Sequence, residues 1–206
     1  PEFIQEIQNI RNNILNNKEL SERIRHKYSI KNVTGLNILP FIYYDDPFDI
    51  IAHLLVGSEG TLAFMSEVTV KTEHDFPFKA SAMLYFRDIR EACRAVVMFS
   101  KMTDKAGNRI VKGAELLDKK SLSSVNDTTG EGLTAILTEV KGNSPEELAE
   151  HIAEITKSLE NYELAVPVYF TDKEEEYSTY WAIRSGIFPS VGGTRPAGTT
   201  CLIEDV

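Results

Sequence analysis

Cysteine is scarce. Cys93 and Cys201 are the two present, too few for a disulfide framework or a cysteine-built zinc site. Long apolar runs are missing as well, and no stretch reaches the roughly 18 consecutive apolar residues that suggest a membrane-spanning helix. No basic N-terminal segment leads into an apolar one, so no secretion signal is read. Basic residues are outnumbered, 22 Lys and Arg against 31 Asp and Glu, for a net charge of −9. A nucleic-acid face needs the opposite balance. A small anionic ligand is still allowed, because one placed arginine can hold a carboxylate on an acidic protein. The four histidines, His26, His53, His74 and His151, form no His-x-His pair, and no metal ligand is assigned. These absences point to a reduced, cytoplasmic setting.

What remains is ordinary for a globular protein. Hydrophobic residues make up 42% and charged residues 26% of 206 positions. That length holds one domain of ordinary size or two small ones. Its ends are abrupt. The chain opens Pro1-Glu2-Phe3 and stops at Glu204-Asp205-Val206, directly after the extended-looking Thr199 to Ile203. It reads as a central piece of a longer polypeptide.

Periodicity sets the elements. Ile4, Ile7, Ile10 and Ile14, then Leu20 and Ile24, recur at helical spacing, and the asparagines at 12–13 and 16–17 predict two helices rather than one. Residues 29–50 read as irregular around Gly35, Pro40 and Pro47. A short helix is expected over Asp49–Leu55 and a strand over Leu62–Val70. Near residue 73 the style changes. Ala80, Ala82, Leu84 and Phe86 alternate as a half-buried strand does. Asp88 with Glu91 predicts a capped helix carrying Ile89, Cys93, Val96 and Val97 on its apolar face, with Cys93 buried there and inert. Strands follow over Ile110–Leu117, Leu133–Val140 and Leu164–Phe170. Short Asp118–Val125 is expected to be helical, as is the run opened by Ser144-Pro145-Glu146-Glu147. A last helix starts near Thr171 and carries Trp181 and Arg184. It is expected to end at Phe188-Pro189.

From residue 79 the order is β-α-β-(α)-β-α-β, the split βαβ, ferredoxin-like pattern. The class is α+β, an antiparallel sheet with helices on one face and the other face free.

The most specific local signal is Val56-Gly57-Ser58-Glu59-Gly60-Thr61-Leu62. Two glycines flank a short polar turn; glycine tolerates positive φ and close approach of another group. Backbone N–H groups in such a turn can hold phosphate oxygens, and Ser58 and Thr61 add hydroxyl donors. It is not a Walker A loop, because it has no lysine and no helix follows.

His53 to Phe64 resembles the signature that closes the FAD-binding domain of vanillyl-alcohol-oxidase-type flavoproteins. Lys31-Asn32-Val33-Thr34-Gly35-Leu36 resembles the segment before it. Tyr180-Trp181-Ala182-Ile183-Arg184-Ser185-Gly186 is similar to the Trp-x-x-Arg segment of the D-2-hydroxyacid branch of these FAD-linked oxidases, which includes D-lactate and D-2-hydroxyglutarate dehydrogenases. Ser190–Val206, containing Gly193-Thr194-Arg195-Pro196, resembles the large iron–sulfur-containing members.

The resemblance implies two parts. Residues 1–73 are the C-terminal part of an FAD-binding domain. Residues 74–206 are most of the substrate (cap) domain. The activity implied is oxidation of a D-2-hydroxy acid to the 2-oxo acid by hydride transfer to flavin. Cofactor contacts then fall on Lys31, Asn32, Gly57, Ser58, Glu59, Gly60 and Thr61, and the substrate carboxylate on Arg184 and Arg195. The general base, an iron–sulfur cluster and a divalent metal would lie outside these residues, so the isolated piece is expected to be inactive. The partner expected is a small anionic 2-hydroxy acid, with no nucleic acid and no transmembrane segment. The setting implied is the cytoplasm, including the periphery of the inner membrane. The competing reading is a non-catalytic ferredoxin-like module that binds a ligand or assembles on its free sheet face.

Overall fold

A computed structural model describes residues 2–30, 35–125, 129–130, 132–193 and 196–199. The chain divides into two compact units, one up to Thr72 and one from Glu73 onward.

The first unit is helical. α1 (Glu2–Asn16) and α2 (Lys18–Lys27) are separated at Asn17, whose side chain accepts from the Leu20 N–H and caps α2. Asparagine is a strong cap and a poor interior residue, so the break falls where the sequence predicts. Two short helices follow, α3 (Pro40–Tyr43) and α4 (Pro47–Leu54), each with proline in its first turn. α3 lies in the stretch expected to be irregular. Asp46 caps α4 by accepting from the N–H groups of Phe48 and Asp49. Ile7, Phe41 and Ile50 form the buried centre, with Ile14, Tyr44, Ile51 and Leu54 against it. Arg11 fixes the loop before α4 by donating Nε–H to the Tyr44 carbonyl at 2.8 Å and pairing with Asp45.

The strand expected over Leu62–Val70 does not form. Phe64 is 91% exposed, and Val68 and Val70 are exposed too. Its β-branched and aromatic residues suit a strand, but a strand needs a neighbour for its N–H and C=O groups, and among the described residues of this unit none is supplied.

The second unit is built on an antiparallel sheet. β1 (Phe78–Phe86), β2 (Val111–Leu117) and β3 (Thr134–Gly142) lie in the order β1-β3-β2. β1 and β2 thus run parallel to each other with β3 inserted between them, the split βαβ arrangement. The fourth expected strand is reduced to its ends. Residues 164–171 follow β1 antiparallel, but only as isolated bridges at Phe86–Leu164 and Ser81–Thr171. Pro167 stands between them; it has no N–H to give the ladder.

α5 (Ile89–Phe99) and α7 (Pro145–Ser158) cover one face of this sheet. Ala80, Ala82, Leu84, Phe86, Ile136 and Val140 meet Ala92, Ala95, Phe99, Leu148 and Ile155 there. Phe86, Leu84 and Ile136 are almost wholly buried, and each such side chain contributes about 1.5–3 kcal/mol. Cys93 is exposed, not buried as expected. The inward stripe of α5 is Ala92-Ala95-Phe99, which turns Ile89, Cys93 and Val97 outward. Asp88 and Ser144 cap α5 and α7. Gly142 lets α7 start close to β3: a Cβ there would stand 2.9 Å from the Leu148 nitrogen.

The other face is not free. α6 (Lys119–Ser124) and α8 (Glu174–Gly193) lie on it. Tyr180, Trp181, Ile183 and Ile187 pack against Met83, Tyr85, Leu117, Ala135 and Leu137. The expectation of helices on one face alone is therefore corrected. Met83, Tyr85, Ala135 and Leu137 make that face apolar too, and the half-buried side chains of α8 cover it. α8 also runs on through Pro189 to Gly193, past the expected end. Proline removes one helical hydrogen bond there without ending the helix, and Arg184 lies in the interior of α8.

Candidate functional site

The glycine turn of the first unit has the conformation its sequence predicts. φ is +81° at Gly57, +75° at Gly60 and +52° at Glu59. Glu59 is the one non-glycine residue in this region among the described residues. A side chain in the left-handed region costs roughly 1–2 kcal/mol, so something must hold Glu59 there. Inside the turn Ser58 N–H donates to the Leu55 carbonyl at 3.2 Å, and Thr61 N–H to the Ser58 carbonyl at 2.9 Å. The Thr61 hydroxyl donates to that same carbonyl at 2.6 Å. Its proton is therefore used internally, contrary to the expectation that Thr61 offers a donor.

Two kinds of group remain. No hydrogen bond within the described residues engages the N–H groups of Gly57, Glu59 and Gly60. Ser58 is 3% exposed, and its Oγ has no partner among the described residues. A buried hydroxyl without a partner is uncommon and calls for one. Free amides on a positive-φ turn beside such a hydroxyl suit phosphate or other polar cofactor oxygens. His53, just before the turn, is structural: its Nδ1 lies 2.8 Å from the Asp49 carbonyl and its ring stacks on Tyr44 at 4.1 Å. Lys31 and Asn32 lie outside the described residues.

Arg184 belongs to the second unit. It stands one turn after Trp181 on α8, and its guanidinium reaches Glu115 of β2 at 3.4 Å. Both side chains are near half exposed, so the pair is open to water and to a competing carboxylate. Glu115 carried no signal in the sequence, because its meeting with Arg184 depends on α8 crossing the sheet. Arg195 lies outside the described residues. A separate cleft of about 650 Å³ opens between α7 and the start of α8, lined by Lys79, Leu148, Ile152, Asp172, Glu174 and Tyr177. Arg184 does not line it, and its Asp172 and Glu174 disfavour an anionic substrate.

No helix among the described residues is long and apolar enough to cross a membrane.

Known proteins fix the family. Residues 77–206 match the family described as FAD linked oxidases, C-terminal domain. The glycolate oxidase subunit GlcD of Escherichia coli (strain K12) is 30% identical over 161 residues, which cover 74% of this chain and 30% of that protein. Its counterpart in Escherichia coli O6:H1 (strain CFT073) matches to the same extent. The chain thus spans about a third of the length of these curated relatives. The second unit's split βαβ sheet lies within the matched residues, and the chain belongs to the FAD-linked oxidases through their C-terminal domain.

Proposed function

We propose that the whole protein is an FAD-dependent oxidoreductase that oxidises a D-2-hydroxy acid of the D-lactate or D-2-hydroxyglutarate class to its 2-oxo acid. The observation that carries this reading is the family match over residues 77–206. The relatives' name adds support, since glycolate is itself a 2-hydroxy acid. FAD, when bound, supplies the acceptor for the hydride that leaves C2. Residues 1–73 then belong to the FAD-binding domain and 74–206 to the substrate domain.

The chain's own residues bind and orient. Gly57, Glu59 and Gly60 offer backbone N–H groups, and the Ser58 hydroxyl a buried donor, to cofactor oxygens. Lys31 and Asn32 join them in this reading, as does Thr61 through its fold-holding bond. Arg184, with Arg195, holds the substrate carboxylate; a planar guanidinium matches that group with two parallel hydrogen bonds. Glu115 keeps the Arg184 guanidinium extended until a carboxylate replaces it. An iron–sulfur cluster as electron outlet, a divalent metal at the reacting centre and a cytoplasmic or inner-membrane-peripheral setting complete the proposal.

Anaerobic mixing of the flavin-loaded whole protein with glycolate, D-lactate, L-lactate and D-2-hydroxyglutarate tests it. Bleaching of the flavin absorbance by D-lactate or D-2-hydroxyglutarate, and not by L-lactate, is expected. No bleaching by any 2-hydroxy acid would overturn the reading.

A further inference from the structure

On the α5 and α7 side of the sheet, the turn leading into β2 meets the first turns of α7. Asp104, Glu147 and His151 bring two carboxylate oxygens and one imidazole nitrogen within 4.8 Å of one another there. Glu147 and His151 are four residues apart on a helix and so share a face.

Both carboxylates are held in place. Asp104 Oδ1 accepts from the N–H groups of Ala106 and Asn108, each at 2.8 Å, and Oδ2 from Asn108 Nδ2 at 3.0 Å. Glu147 Oε2 accepts from the Asn143 N–H at 2.6 Å.

His151 supplies the observation that separates this group from a plain acidic cluster. It is 7% exposed. Its Nδ1 lies 3.2 Å from the Lys141 carbonyl oxygen. A carbonyl can only accept, so Nδ1 carries a proton, an arrangement that in a neutral imidazole leaves the lone pair on Nε2. Among the described residues no hydrogen bond engages Nε2, and no ion pair joins His151 to either acid. The ring is thus buried and held by a backbone carbonyl, and one of its nitrogens lies within 4.8 Å of a carboxylate oxygen of each acid. Metal-ligating histidines are oriented in this way, the non-ligating nitrogen donating to a carbonyl or carboxylate.

We propose that Asp104, Glu147 and His151 form a divalent transition-metal site, suited to zinc(II), that clips the turn before β2 to α7. One imidazole and two carboxylates fit that ion, with bonds of about 2.0–2.2 Å. Ligand atoms around a tetrahedral ion with such bonds stand about 3.4 Å apart, so side-chain shifts of up to roughly an ångström close the group around it. Calcium and magnesium favour all-oxygen sets and fit less well. Water completes the shell, because Asp104 and Glu147 are half-buried. The site does not depend on the proposed oxidoreductase activity.

Zinc chloride titrated into the chelator-treated 206-residue chain, followed by calorimetry, tests the site. One zinc per chain is expected, with a rise in Tm. Asp104→Asn keeps the turn's acceptor oxygen and removes the charge; at least a tenfold loss of affinity is expected, with the fold intact by circular dichroism. A measurement on the unaltered chain runs beside it: zinc should shift the ring resonances of His151 ahead of those of His26, His53 and His74. Absence of stoichiometric binding, equal affinity in Asp104→Asn, or a first response at another histidine would each overturn the proposal.

Discussion

Trp181 Nε1–H donates to Ser81 Oγ at 3.3 Å, joining α8 to β1 across a separation of 100 residues. Ser81 is buried, and its backbone bridges Thr171 on the other edge of β1. One strand residue thus anchors both the 164–171 segment and the helix that crosses the sheet.

Trp181→Phe should keep most of the packing and lose the donor. A loss of about 1 kcal/mol in urea unfolding is expected, the usual net worth of one hydrogen bond. Ser81→Ala should cost a similar amount, and the double variant less than the sum of the two. Strictly additive losses would mean that the contact contributes nothing as a pair.

Gly142→Ala is expected to be among the most damaging single-methyl additions in the second unit. The new Cβ would meet backbone atoms of the first turn of α7, the Leu148 nitrogen at 2.9 Å and the Ser144 oxygen at 3.2 Å. Backbone cannot rotate away as a side chain can, so α7 must shift off β3. Overpacking of this kind costs about 1–3 kcal/mol. By contrast, Gly192→Ala meets nothing within 4 Å and should be near neutral or stabilising. Comparison of the two urea midpoints checks the reading.

Glu176 supplies a pH dependence. Lys173 Nζ lies 2.7 Å from its Oε1, and the Tyr169 hydroxyl donates to its Oε2 at 2.9 Å. The Lys173 hydrogen bond first, then those of Thr171 and Tyr169, pull its pKa from the ordinary 4.5 to about 2. A depressed carboxylate stabilises the fold above its unfolded pKa, and the contribution is lost as pH falls from about 4.5 towards 2. The group is on the surface, so salt should shrink the effect. Glu176→Gln should flatten the Tm profile over that acid window and leave it unchanged near neutrality. Superimposable profiles for the two proteins would remove the interaction.

Much of this was legible in the sequence, and the misses share one cause. Caps are local, so Asn17, Asp88 and Ser144 mark their helices from neighbouring residues alone. β1, β2 and β3 follow from alternation, and their order from the split βαβ rule. The covering of the second sheet face did not follow, because Met83, Tyr85 and Leu137 say that the face is apolar and not what lies on it. Cys93 was misread because two apolar stripes coexist on α5, and the sheet took the one with the small alanines. Leu62–Val70 has strand-forming residues yet pairs with nothing among the described residues, since pairing is a property of the partner. Glu115 and the Asp104–Glu147–His151 group are likewise meetings of distant segments, invisible until the fold brings them together.

Gly60→Val tests the glycine turn. Nothing lies within 4 Å of the position a Cβ would take, so the cost is conformational and not a clash. At φ +75° a β-branched residue is strained by about 1–2 kcal/mol and should redirect the free N–H groups of Glu59 and Gly60. In the whole protein, flavin content should fall while helix content by circular dichroism holds. Full flavin occupancy in a folded variant would make the turn merely structural.

Arg184 and Glu115 make the sharpest test of substrate binding. Their 3.4 Å pair is near half exposed on both sides, so its worth to stability is no more than about 1 kcal/mol. A charge-assisted bond from Arg184 to a substrate carboxylate should be worth roughly 1.5–3 kcal/mol, and it would appear in kinetics and not in folding. Arg184→Lys keeps the charge and loses the two-pronged geometry. In the flavin-loaded whole protein it should lower kcat/KM for 2-hydroxy acids about tenfold or more, with little change in Tm. Glu115→Gln should act in the opposite direction, because it removes the anion that competes with substrate for the guanidinium; KM should fall while kcat holds. The two variants thus move KM apart while leaving stability nearly alone, which a purely structural ion pair cannot do. If Arg184→Lys leaves kcat/KM unchanged and Glu115→Gln leaves KM unchanged, Arg184 is out of the site and Arg195 is the remaining candidate for the carboxylate.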